Sequence, residues 1–116
     1  MIRVTFFADS GRVRGFEAKG HAGYARPGKD IVCAAVSAVL LTALNGLVEL
    51  IGAPCMVIRE DERGYLMVRL SRDLQENTAH DAGLILGVAM AGIQSIAKDY
   101  PGYVDVRNKD TEVIQS

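Results

Sequence analysis

The chain has 116 residues, the size of one domain, and 49% of them are hydrophobic, enough for one compact core that must also carry any site. A formal net charge of −1 provides no molecule-wide field for phosphates, so direct nucleic acid binding is not expected. Two cysteines are too few for a disulfide-built secreted domain, and Asp9 and Arg12 interrupt the stretch where a signal peptide needs its apolar run; both point to a reducing, cytoplasmic setting.

The charge is unevenly spread. Arg3, Arg12, Arg14, Lys19, Arg26 and Lys29 stand against only Asp9 and Glu17 in residues 1 to 29, whereas the rest is acid-biased, with the run Glu60, Asp61, Glu62. In chain order, Ile2, Val4 and Phe6 alternate with Arg3, Thr5 and Phe7, the period of two of a strand with one buried face. Asp9, Ser10 and Gly11 supply hairpin-turn chemistry, and Arg12 to Lys19 returns as a second, antiparallel strand. Gly20 to Lys29 holds three glycines and a proline in ten residues with no periodicity, which predicts a loop. Such a loop has few large apolar groups to offset its ordering entropy, so it is expected to act as an adjustable lid.

Asp30 is placed to cap a first helix, which runs to about Ile51 before Gly52 and Pro54 end it. This helix is apolar enough to raise a membrane span, but Ser37, Thr42, Asn45 and Glu49 interrupt it, the last three at helical spacing; a buried core helix is expected and no membrane partner. Cys55 to Glu60 and Tyr65 to Leu70 form a second hairpin around Asp61 to Gly64. Ala82, Ile85, Ala89, Ile93 and Ile96 mark an amphipathic second helix between about Glu76 and Asp99; its glycines 83, 87 and 92 suggest close approach of another backbone. Pro101 and Gly102 end it, Tyr103 to Arg107 makes a fifth strand, and residues 108–116 form a polar tail outside a single domain of residues 1–107. The order ββαββαβ excludes regular βαβ alternation and predicts an α+β fold: a five-stranded, mainly antiparallel sheet with two helices.

Chemistry concentrates in residues 20 to 37. With Asp30 as cap, Cys33 falls in the first turn of the helix, where free backbone N–H groups and the dipole favour a thiolate. The glycine-rich loop can fold His21 back toward the sulfur as its base, and the same helix start could bond an oxyanion. From pattern alone, other uses stay open: Cys33 as a small buried hydrophobe, His21 as a turn residue, Asp30 as a plain cap, Ser37 bonding its own backbone, Gly20 as a strand end or a hinge.

Gly20-His21-Ala22-Gly23-Tyr24 followed by Gly28-Lys29-Asp30-Ile31-Val32-Cys33-Ala34-Ala35-Val36-Ser37 resembles the ribosomal-processing cysteine proteases called Prp, the YsxB-like family. The resemblance extends over about residues 1 to 107. It implies a cytoplasmic cysteine endopeptidase that removes an N-terminal extension from the twenty-seventh large-subunit ribosomal protein. It also implies His21 and Cys33 as the catalytic pair, with Gly20, Asp30 and Ser37 as hinge and supports, a precursor ribosomal protein as substrate, and a homodimer. No cofactor or metal is expected. Rival readings are a non-catalytic ribosome-associated peptide-binding module, a redox sensor using Cys33 and Cys55, and a zinc site from His21, Cys33, Cys55 and His80, for which closely spaced ligand pairs are missing.

Overall fold

The computed structural model describes residues 1–110. Strands β1 (Ile2–Asp9) and β2 (Arg12–Lys19) form the first hairpin, and helix α1 (Ile31–Asn45) follows the loop. A π-helical turn, Gly46–Leu50, extends α1, so the helical run predicted to about Ile51 changes pitch for its last turn. Strands β3 (Cys55–Glu60) and β4 (Tyr65–Leu70), helix α2 (Glu76–Asp99) and strand β5 (Val104–Asp110) complete the α+β fold. Strand β5 reaches Asp110, past the expected end at Arg107, because Asn108, Lys109 and Asp110 continue its pairing with Phe6, Phe7 and Ala8. The remainder of the expected tail, residues 111–116, lies outside the described residues.

The sheet order is β3-β4-β2-β1-β5, with one parallel pair, β1 and β5. That pair is parallel because α2 carries the chain back across the sheet before β5 begins. The two helices pack over the face carrying Ile2, Val4, Phe6, Phe16, Ala18 and Val68, joined there by Val32, Val36 and Leu40 of α1 and Ala82, Leu86 and Ile93 of α2. Phe6 and Phe16 are paired neighbours whose ring centres lie 6.0 Å apart, and burial of each ring contributes about 1.5–3 kcal/mol. Helix α1 is less covered than its sequence suggests. Val32, Val36, Leu40 and Ala43 are buried, while Ile31 is more than half exposed, so a single apolar stripe faces the core.

Of the three α2 glycines, Gly92 sits at the helix–helix contact, where an added Cβ would come within 3.3 Å of Val39. Gly87 has nothing within 4 Å and Gly83 meets only Arg12 and Val13, so close approach explains one glycine and not the series. Gly15 is more demanding. A Cβ there would lie 2.3 Å from the carbonyl oxygen of Val68 on the adjoining strand, and its bare backbone lets Arg69 reach across to lie 4.2 Å over the Phe7 ring. Phe7 is thereby buried on the face opposite the helices.

Register places the site. Arg3 is paired with Lys19 and Lys19 with Tyr65, so the start of β1, the end of β2 and the start of β4 share one end of the sheet. The loop of residues 20–30 and the β3–β4 turn therefore meet there. Gly15→Ala should push β2 from β4 and lower stability by about 1–3 kcal/mol, the usual cost of overpacking, as read from the urea midpoint. An unchanged midpoint would mean that the β2–β4 pair is slack.

Candidate active site

Asp30 organises this end of the molecule. Its Oδ1 accepts the N–H groups of Val32 (3.0 Å) and Cys33 (2.9 Å), capping α1, while Oδ2 accepts those of Tyr24 (3.0 Å) and Ala25 (3.3 Å) in the loop. These bonds, with that from Cys33 first, hold its carboxyl below the usual range despite partial desolvation. The loop is tied further by Tyr24, whose ring packs edge-on against Tyr100 and Tyr103 at 5.6 and 5.2 Å. The stretch expected to act as an adjustable lid is thus fastened at Tyr24 and Ala25, contacts of which its composition alone gave no sign.

Cys33 lies partly buried beneath the loop, and its Sγ accepts the N–H of Ala22 at 3.2 Å. Burial pushes the thiol above its ordinary value; the Ala22 N–H opposes this, while the Asp30 carboxylate adds to it. The helix start therefore does not favour the thiolate expected there. The N–H groups of Val32 and Cys33 are consumed by Asp30, and Ala34 donates to the Asp30 carbonyl, so they stabilise a carboxylate rather than the sulfur. The same occupancy removes them as ready oxyanion donors.

His21 and Cys33 line one groove of about 290 Å³ between α1 and the sheet. Its walls include Ile2, Ala18, Val36, Leu40 and Leu66, with Ser37 one turn beyond Cys33 and the Arg59–Asp61 ion pair (2.7 Å) also lining it. No hydrogen bond joins His21 to Cys33 among the described residues. Gly20 is held by its N–H to the carbonyl of Gly64 at 2.9 Å and has φ +94°, with Met1 O 2.6 Å from where a Cβ would stand. Sequence reasoning passed over Gly64. At φ +61° in the β3–β4 turn, its bare Cα leaves room for the imidazole, since a Cβ would fall 2.9 Å from Cε1 and 3.0 Å from Nε2 of His21. The available signal was its place as the glycine of a hairpin turn.

Cys55 begins β3 opposite Leu70, and His80 is an exposed residue of α2 beside Asp81. Both cysteines are free thiols, and no group of three or more His, Cys, Asp or Glu among the described residues could hold a metal ion.

The family model described as cysteine protease Prp matches residues 1–105. The chain belongs to the Prp family of cysteine proteases. It is 35% identical over 86 residues to the ribosomal processing cysteine protease Prp of Bacillus subtilis, covering 73% of this chain and 76% of that one. With its Staphylococcus aureus counterpart it shares 33% identity over 92 residues, 79% of this chain and 83% of the other. The crystal structure of the S. aureus protease with a covalently linked product peptide superposes with a TM-score of 0.84 at 28% identity, covering 94% of this chain and all of that one. A protein from Streptococcus mutans gives 0.82 at 29% identity over 95% of each chain. Both structures share the α+β fold described above.

Two pH effects follow from the Asp30 clamp. Because its carboxyl is depressed in the folded state, its contribution is present above the ordinary carboxylate pKa of about 3.9 and is lost as pH falls through the lower folded value. Asp30→Ala should thus lower the urea midpoint at neutral pH, with the difference shrinking in acid. In addition, Asp30→Asn removes a negative charge beside Cys33, so the pH profile of iodoacetamide alkylation should move to lower pH. A profile left in place would show that burial alone raises the thiol.

Proposed function

We propose that the chain is an endopeptidase that cuts an N-terminal extension from the twenty-seventh large-subunit ribosomal protein, with Cys33 as nucleophile and His21 as base. The observation that carries this is the shared groove: an imidazole and a partly buried thiol line one cleft with largely apolar walls. The relatives' description as ribosomal processing proteases supports the substrate class.

In the reaction, His21 takes the Cys33 thiol proton and the sulfur attacks the scissile carbonyl carbon. The Ala22 N–H, the backbone donor at the sulfur, is placed to meet the resulting oxyanion. Collapse breaks the C–N bond, and the imidazolium returns its proton to the leaving amine. Water, deprotonated by His21, then hydrolyses the thioester and restores the thiol. The loop already sets the Ala22 N–H on the sulfur, so what a bound peptide has to complete is the approach of His21 to Cys33. Gly20, held to Gly64, serves as the hinge of that movement, Asp30 as its anchor, and Ser37 as a polar contact along the groove. The protein works in the cytoplasm as a homodimer, whose second copy covers exposed apolar side chains of the helical layer such as Ile31, Leu84 and Val88.

Incubation with the organism's precursor ribosomal protein should give a product with a new N-terminus by mass spectrometry. Cys33→Ala should abolish this while still binding the precursor, and Cys55→Ala should retain it. Binding without cleavage by the unsubstituted chain would instead favour a peptide-binding module. His21→Ala should slow single-turnover acylation by roughly two to four decades, the usual worth of a positioned base. An unchanged rate would remove His21 from the mechanism.

A further inference from the structure

The sheet's second face is left open by the helices and carries its own charge pattern. Register sets out three rows across it: Asp105, Arg3, Lys19 and Tyr65; then Arg107, Thr5, Glu17 and Met67; then Lys109, Phe7, Gly15 and Arg69. Arg3, Lys19, Arg69, Arg107 and Lys109 thus converge on one shallow groove of about 430 Å³, against Glu17 within it and Asp105 at its margin. Both acids are already engaged. Asp105 holds Arg3 at 3.2 Å and Arg107 at 2.9 Å, and Glu17 accepts the Tyr65 hydroxyl at 2.7 Å with Lys19 at 3.6 Å. The face keeps a surplus of positive charge in a chain whose overall charge is −1.

We propose that this open face binds single-stranded RNA. Three observations favour RNA over another polyanion. Rows of cations spaced by the strand repeat of about 6–7 Å are set to track a phosphate backbone. The Arg69 guanidinium lies 4.2 Å over the Phe7 ring and is solvent-exposed, so a planar cation already stacked below offers its outer face to a base. The groove is shallow and built on an open sheet face, which suits splayed bases and does not enter the groove of a duplex. This surface lies on the opposite side of the sheet from Cys33, and the assignment does not depend on the proposed peptidase chemistry. It reverses the expectation drawn from net charge, because binding depends on where charges sit and not on their sum.

The test is fluorescence anisotropy of the full chain with a labelled oligouridylate of about 12 nucleotides, within the usual span of a single-strand site. At about 50 mM salt, saturable binding is expected, weakening with added salt at a log–log slope of about −0.7 per phosphate neutralised. The Lys19→Gln, Lys109→Gln double variant should bind at least tenfold more weakly and flatten the slope by about 1.4. Arg69→Lys keeps the charge but loses the planar stack, so it should weaken binding by roughly tenfold with the slope unchanged. Lys98→Gln, on α2 across the sheet, should bind as the parent does. Absence of saturable binding at that salt, or a double variant as tight as the parent, would overturn the proposal. Competition by inorganic polyphosphate as effective as RNA of equal charge would overturn the assignment to RNA.

Discussion

Everything at the active end of the molecule hangs on one carboxylate. Asp30 uses one oxygen to start α1 and the other to hold the loop at Tyr24 and Ala25, so two segments that meet only in the folded chain are fixed by a single side chain. The cap sets where Cys33 emerges, and the loop bonds set where Ala22 and His21 can lie. Because the group is ionised, each of these bonds is charge-assisted and stronger than a neutral counterpart.

That arrangement has an electrostatic consequence for the thiol. A helix start usually favours an anion at the first turn, but here the anion it favours is Asp30, and the sulfur sits partly buried beside a negative charge. The Cys33 thiol therefore lies, raised, beneath the loop that also carries His21.

The sheet separates two chemistries by the alternation of its strands. Side chains on one face close the core and wall the groove that holds His21 and Cys33; those on the other, among them Arg3, Arg69 and Arg107, face outward around an Arg69–Phe7 stack that Gly15 permits. One strand, β1, thus contributes Val4 and Phe6 to the interior and Arg3 to the open face, and a register slip of one residue would exchange them.

The sequence by itself determined what depends on neighbours along the chain. Alternation in Ile2 to Phe7 and the spacing from Ala82 to Ile96 gave strand and helix, Asp61 to Gly64 gave the second hairpin, and Asp30 gave the cap, since each rests on local periodicity or turn chemistry. The run from Gly20 to Ser37 was enough to show the family. What only the tertiary structure decided depends on groups far apart in sequence: the parallel pairing of β5 with β1, the fastening of the loop by Tyr100 and Tyr103, the room Gly64 leaves for His21, and the gathering of cations on one face. The ionisation of Cys33 belongs with these. Its place in the first turn was legible, but whether that turn's N–H groups serve the sulfur or a carboxylate is settled by burial and by which acceptor reaches them first.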